Sequence, residues 1–580
     1  MHSDSQTLIE RIRAGVIGQG RPIATPFGQR PLVYADYTAS GRALDFVEDT
    51  LREQVLPWYA NTHSETSFTG AQTTALREEA RSTIHRALGG GEDDKIIFCG
   101  AGATAAINRL IDMLGLRLPR DLDRRYDLSA RIPEAERPVV FVGPYEHHSN
   151  ELPWRESIAD VVPIPLADDG AIDREALAEA LARYGDRPLR IGSFSAASNV
   201  TGIRSDVPGI TRQLKDAGAL AFWDYAAAGP YVRIDLNAPG APVDAVFLSP
   251  HKFVGGPGTP GVLAVKRQLL TNSVPAVVGG GTVFFVNPRA HRYLDDPERR
   301  EEGGTPAIVE AIRAGLVFQL QQAVGTDTIE AIERRRVRQV LDALADEPNI
   351  EVLGGAEAER LAIFSLRFHH GASELHYGFV VALLNDLFGI QARGGCSCAG
   401  PYGHALLGLD EDRSTALENR VAEGFGALRP GWVRLNVNYF IDEAELDYLL
   451  AALRLVARHG WRLLPSYRLD HRAGLWRHRD GTPPLPASLA ELDFLAANAP
   501  AAPAVSPDYA ALLATAEQIL TSGASPAHRQ AALADPPLPA DALADRWFAL
   551  SAEAANALLN PVAAERGGEC PARSTEVAAG

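Results

Sequence analysis

From Val33 onward, short apolar runs alternate with helical or looping stretches, and this rhythm constrains the fold more than any other feature of the chain. The runs are KIIFCG, PVVFVG, LRIGSFS, LAFWDY and AVFLS, each bounded by glycine, proline or polar residues. Unbroken apolar runs of this length read as strands buried on both faces, with the intervening helices as their cover. The expectation is an α/β domain of βαβ units around a mostly parallel sheet. Ligands of such sheets gather beyond the carboxyl ends of the strands, so chemistry is sought where each run stops.

At 580 residues the chain exceeds one ordinary domain. Residues 1–32, with helical spacing in SQTLIERIRAGVIG, are expected to form an arm packing on a smaller domain. Residues 33–295 carry the sheet rhythm. Residues 296–460 open on the helical pattern TPAIVEAIRAGLVFQLQQAV and continue as a smaller α+β domain. Residues 461–580 are an Ala/Pro-rich helical extension, and the closing ERGGECPARSTEVAAG reads as a frayed tail.

Charge and cysteine count exclude several classes. A formal net charge of -17 disfavours attraction to nucleic-acid phosphates or anionic lipid. No segment has the apolar length of a signal peptide or a membrane span. Four cysteines (Cys99, Cys396, Cys398 and Cys570) are too few for a disulfide framework, so a reducing, cytoplasmic setting is expected.

The sharpest local signal is LSPHKFVGGPGTPG. A strand ends in a polar loop carrying Ser249, His251 and Lys252, and a glycine-rich turn follows. A lysine that condenses with an aldehyde must offer a neutral amine, which partial burial and a cationic neighbour favour. Alone, Lys252 would read as a surface lysine after a strand. Upstream, however, LAFW ends in Asp224, a carboxylate able to pair with a protonated pyridine nitrogen. Asp224 alone would read as a cap or turn former. Lysine and aspartate on successive strand ends, each beside small residues, favour the chemical reading.

These two segments, WDYAAAGPY and SPHK, resemble the anchor motifs of the pyridoxal-phosphate (PLP)-dependent class V aminotransferases and cysteine desulfurases. The resemblance covers residues 30 to 455 and includes the selenocysteine lyase-type group. It implies the PLP-dependent transferase fold type I, a mostly parallel mixed sheet covered by helices. It also implies PLP as cofactor, with Lys252 as the lysine that holds it. By the same resemblance Ala103 and Thr104, at the strand-to-helix turn FCGAGAT, cradle the phosphate with Ser249 and His251. His147 in GPYEHHSN stacks on the ring and moves protons, with His148 as the neighbouring alternative, and Asn199 contacts the ring oxygen. Family desulfurases carry glutamine three residues after the aspartate, where this chain has Ala227. GGGTVFFV and REEGGTPAIVEAI resemble loops that cross to a partner, which implies a homodimer in which Thr305 donates to the other subunit's phosphate.

The run ARGGCSCAGP resembles the family's Arg-Thr-Gly-x-x-Cys-Ala-x-Pro loop and also that of molybdenum cofactor sulfurases. It puts Cys398 at the sulfur-accepting position and Arg393 among the substrate-binding residues, with Arg434 as the arginine that orients the amino acid's carboxylate. Cys396, two positions away, faces the same side if the run is extended, as a resolving or relaying thiol. Two buried packing thiols remain the plain alternative. Cys396, Cys398 and His404 make an incomplete zinc set, and no metal site is expected. The implied reaction takes L-cysteine to alanine and an enzyme persulfide, with a sulfur-acceptor protein downstream. C–S lyase, epimerase or aminotransferase chemistry on another amino acid is the enzymatic alternative, and a PLP-fold binding partner the non-catalytic one.

Overall fold

The five apolar runs all form strands of one seven-stranded sheet. The structure, a computed structural model, describes residues 2–62, 64–495 and 507–560. The Ala-Pro run over 496–506, the expected tail and Cys570 therefore lie outside the described residues. In chain order the sheet strands are β1 (Asp94–Cys99), β2 (Val139–Val142), β3 (Asp160–Pro163), β4 (Arg190–Ser195), β5 (Leu220–Asp224), β6 (Ala245–Leu248) and β7 (Gly261–Lys266). Their spatial order is β1-β7-β6-β5-β4-β2-β3, with only β7 antiparallel to its neighbours. Every residue of β2 and β6 is buried, which explains why these runs show no polar alternation. Phe247, fully buried in β6, has helices and strands on every side, and its truncation to alanine would cost about 3–5 kcal/mol.

Helices cover both faces of the sheet. The N-terminal helix α1 (His2–Gly15) buries Ile9 and Ile12 in the same core as Ile308 and Ile312, and Arg13 Nε donates to the carbonyl of Phe440 at 2.6 Å. Helix α2 (Gly102–Met113) leaves β1 almost at once and buries Ala103, Ala106, Ile107, Leu110 and Ile111 against the sheet. That helical spacing turns one stripe inward. Helix α3 (Ile308–Val324) follows the sheet and packs back onto it.

A second, five-stranded sheet runs through β8 (Ile350–Val352), β9 (Ile363–His370), β10 (Arg393–Gly395) and β11 (Trp432–Asn436) in the order β8-β9-β11-β10, with the short strand Ser373–Leu375 also paired to β9. Helix α4 (Glu443–His459), capped by Asp442, covers it with Leu446, Leu449, Leu453 and Val456. The chain then forms a hairpin, β12 (Tyr467–Asp470) with β13 (Leu475–His478), and helices α5 (Tyr509–Ser522), α6 (Pro526–Leu533) and α7 (Ser551–Leu559). This extension joins the second core through Ala516, Leu520, Phe548 and Ala554. Trp547 stacks on His376 with 5.2 Å between ring centroids. Among the described residues no helix is long and apolar enough to cross a membrane.

Candidate active site

One cavity opens at the carboxyl edge of the large sheet. Ala103, Thr104, His147, Asn199, Asp224, Ser249, His251, Lys252, Arg393, Cys398 and Arg434 all line it. They arrive from the ends of β1, β4, β5 and β6, from the turn after β2, and from β10, β11 and the loop after β10. Of the residues singled out in the sequence, His148, Cys396, His404 and Thr305 are not among its lining, and the Thr305 hydroxyl accepts from Asn61 Nδ2 at 3.3 Å on the surface.

Asp224 ends β5 beside β6, and Lys252 sits one turn beyond β6. Burial lowers the Lys252 pKa to about 8; Asp224 opposes the shift and Arg434 adds to it. The ammonium therefore gives up its proton under mildly alkaline conditions. Asp224 is 4% exposed, and burial raises its pKa, opposed by the amide of Ala226 at 2.8 Å and by Lys252. Burial, with Lys252 adding, lowers His147 to about 3 and His251 to about 4, so both rings are neutral at physiological pH. Nδ1 of His147 accepts the amide of Ser149 at 3.1 Å, which puts the neutral ring's proton on Nε2.

The turn into α2 is shaped for close approach. Gly102 has φ of 55°, and a Cβ there would stand 2.8 Å from both Ser249 Oγ and His251 Cε1. Only glycine takes that conformation and that space at no cost. The amide of Ala103 donates to Ser249 Oγ at 2.9 Å, and the hydroxyls of Thr104 and Ser149 share a hydrogen bond of 2.6 Å. Glu146 carries the same wall from behind. It accepts from Asn150 Nδ2 at 2.6 Å and from the amide and hydroxyl of Ser195 at 2.8 and 2.7 Å, and burial still lifts it to about 7.

Two arginines face each other across the second sheet, Arg393 of β10 directly opposite Arg434 of β11. Asp36 bridges them, accepting Arg393 Nε at 2.9 Å and Arg434 Nη2 at 3.0 Å. Arg434 Nη1 donates to the carbonyl of Asn199 at 3.1 Å. A carboxylate between like charges both neutralises and orients them. Asp36 had not been singled out in the sequence, although it sits two residues past the short strand Val33–Tyr34, where the strand-end rule points.

The cysteine loop departs from the extended geometry expected of it. Ser397 and Cys398 have φ of 55° and 56°, so the run turns and the same-side placement of the two thiols expected of an extended run does not apply. Three hydrogen bonds hold this left-handed turn: Asn199 Nδ2 to the carbonyl of Ser397 at 2.8 Å, the His148 amide to the carbonyl of Cys398 at 2.8 Å, and the Gly400 amide to His148 Nε2 at 3.0 Å. Those carbonyls are aimed by the loop's strained dihedrals, which such external contacts sustain. Cys398 is exposed and faces the cavity, while Cys396 is half-buried.

The walls fit a phosphorylated pyridine aldehyde. Asp224 suits a ring nitrogen, Lys252 an aldehyde, and the start of α2 with Ser249 and His251 a phosphate. Three buried polar atoms of cavity residues have no hydrogen-bond partner among the described residues: Thr38 Oγ1, Asn199 Oδ1 and Arg434 Nε. Unmet polar atoms gathered on one cavity are what a polar ligand would complete. Ala227 also lines it, leaving room where a longer side chain would reach.

A helix-covered, mostly parallel sheet with lysine and aspartate on neighbouring strand ends defines an enzyme of the PLP-dependent transferase kind, fold type I. The chain belongs to the class V aminotransferases, matching the family Aminotransferase class-V over residues 33–447. A probable cysteine desulfurase of Streptomyces coelicolor is 29% identical over 374 residues, 64% of this chain and 84% of that protein. A cysteine desulfurase of Pectobacterium atrosepticum is 26% identical over 454 residues, 78% of this chain and 98% of that protein. The fold is shared with the solved cysteine desulfurase of Thermococcus onnurineus at a TM-score of 0.59 and 22% identity, covering 74% of this chain and 95% of that one. The cysteine desulfurase CsdA of Escherichia coli gives the same TM-score and identity over 77% and 97% of the two chains.

Proposed function

We propose that this protein is a PLP-dependent cysteine desulfurase that converts L-cysteine to alanine and leaves the sulfur as a persulfide on Cys398. One observation carries the reading: Cys398 lines the same cavity as Lys252, Asp224 and Arg434. The names of the relatives support it too. Bound PLP would supply an aldehyde that condenses with amines and a ring that draws electrons from the substrate's α-carbon.

The chain's own groups do the rest. Arg434, with Arg393, binds the substrate carboxylate and fixes the amino acid's orientation. Lys252 Nζ would hold the cofactor's aldehyde and, as a free amine, would take the substrate's α-proton. The carboxylate of Asp224 would keep a proton at the ring nitrogen, and neutral His147 would stand against the ring and pass protons through Nε2. Asn199 contacts the ring oxygen; Ala103, Thr104, Ser249 and His251 hold the phosphate. Cys398 Sγ, as thiolate, bonds to the substrate sulfur while the carbon–sulfur bond breaks and its electron pair stays with carbon. Cysteine and enzyme thiol thus give alanine and enzyme persulfide, with no outside oxidant or reductant.

The working form we propose is a cytoplasmic homodimer in which Thr305 reaches the other subunit's phosphate, and a sulfur-acceptor protein takes the persulfide. Its units are the arm 1–32, the large domain 33–295, the small domain 296–460 and the extension 461–580. The test is a product assay with PLP and a panel of amino acids, cysteine and selenocysteine among them, on wild-type and Cys398→Ala protein. Alanine from cysteine, lost in the variant, is expected. Pyruvate would instead assign β-elimination, and an inverted enantiomer epimerisation.

A further inference from the structure

Far from the active site, two imidazoles and a carboxylate converge where the C-terminal extension meets the hairpin. Ligand atoms of His478, Asp480 and His528 all lie within 4.8 Å of one another. His478 ends β13, Asp480 follows two residues later, and His528 stands in the first turn of α6. We infer that these three side chains form a site for a zinc-class divalent transition-metal ion that ties helix α6 to the hairpin.

Spacing is the first support. Nε2 of His528 is hydrogen-bonded to Asp480 Oδ1 at 3.0 Å, and Nδ1 of His478, which accepts the Asp480 amide at 3.3 Å, is 3.7 Å from Asp480 Oδ2, so metal binding would replace these contacts. Zinc holds nitrogen and oxygen ligands at about 2.0–2.2 Å, so tetrahedral neighbours stand about 3.3 Å apart. The two separations, one to each oxygen of Asp480, lie on either side of that value, and with one ligand atom from each residue all three lie within 4.8 Å of one another, so the side chains would draw together around an ion. A fourth position is left for water.

Orientation is the second. Nδ1 of His528 meets Ser466 Oγ at 3.1 Å, which fixes the ring and leaves Nε2 as the ligand atom. A hydrogen bond at the far nitrogen is the usual way a protein sets a ligating histidine. His478 is 7% exposed and held edge-on by Phe27 and Tyr467, each with 5.1 Å between centroids. The neighbouring cation, Arg479, is itself paired with Asp535 at 3.1 Å, so its charge is offset. Two imidazoles and one carboxylate suit zinc and its first-row neighbours better than calcium or magnesium, which prefer all-oxygen sites.

A metal here would cross-link residues about 50 positions apart, and with them the extension to the hairpin. The experiment uses untagged full-length holoenzyme stripped with a chelator, then titrated with Zn2+ by calorimetry and followed by thermal unfolding. We expect one equivalent per chain, a midpoint raised by several degrees, and visible d–d bands without sulfur charge transfer when Co2+ replaces Zn2+. His528→Gln and Asp480→Asn should each weaken binding by about tenfold or more while far-UV circular dichroism stays unchanged. Because His478 is buried, these two more exposed positions carry the test. A Cys396→Ser, Cys398→Ser double variant should bind Zn2+ as the wild type does. The inference is overturned if no ion binds, if His528→Gln binds undiminished, or if binding disappears with the cysteines.

Discussion

The two halves of the active site are held in different ways. Asp224 and Ser249 stand at the ends of buried central strands, and Lys252 one tight turn beyond. Cys398 stands on a turn with two successive left-handed residues, tied to the opposite wall by Asn199 and His148. Rigid strand ends suit a group that must stay bound, and a loop held by a few hydrogen bonds suits the approach to a substrate proposed for Cys398. If the proposed function holds, the contrast implies that the cofactor-binding half and the half carrying Cys398 can be broken separately.

Lys252→Ala should break the rigid half and have the largest effect. Turnover should fall by about 10⁴-fold or more, with loss of the visible absorbance after reconstitution with PLP. A variant that kept both would remove Lys252 from its role. Cys398→Ala should break the loop-borne half alone. Alanine formation should drop by about 10²-fold or more, while the visible absorbance survives. Loss of cofactor in this variant would mean the halves are not separable.

Proton linkage gives a milder test. Because the Lys252 pKa is lowered to about 8, the neutral amine prevails above that pH and the protonated form below it. Reconstitution of the apoenzyme with PLP should therefore slow about tenfold between about pH 9 and about pH 7. A flat profile would show that Lys252 does not titrate there. Asp36→Asn should free both arginines from their shared partner, raising KM for cysteine about tenfold with a smaller change in kcat. Partial recovery in Asp36→Glu would mark Asp36 as a positioning residue, and an unchanged KM would assign it only a packing role. Smallest of all, Ser397→Gly relieves one left-handed side chain, and turnover should stay within about twofold. A large loss would mean that the Ser397 side chain itself acts.

What was legible in the sequence follows from locality. Asp224, Lys252, Ala103 and His147 each lie within a few residues of a strand end, so a strand pattern and a residue type suffice to find them. Asp36 gains its meaning only from partners 357 and 398 positions away, and nothing near it announces them. The shape of the Cys-Ser-Cys run escaped for a similar reason. An isolated three-residue stretch suggests extension, but carbonyl contacts from Asn199 and His148, some 200 and 250 positions upstream, select the turn. His478, Asp480 and His528 show no zinc-like spacing in the chain, since packing of α6 on the hairpin is what joins them.

The most direct measurement is mass spectrometry of the peptide carrying Cys396 and Cys398 after one turnover with L-cysteine, alongside quantification of alanine. We expect one added sulfur atom, mapped to Cys398, for each alanine released. Alanine without added sulfur, sulfur on Cys396 alone, or pyruvate in place of alanine would contradict a shared cavity in which Lys252 frees the sulfur and Cys398 receives it.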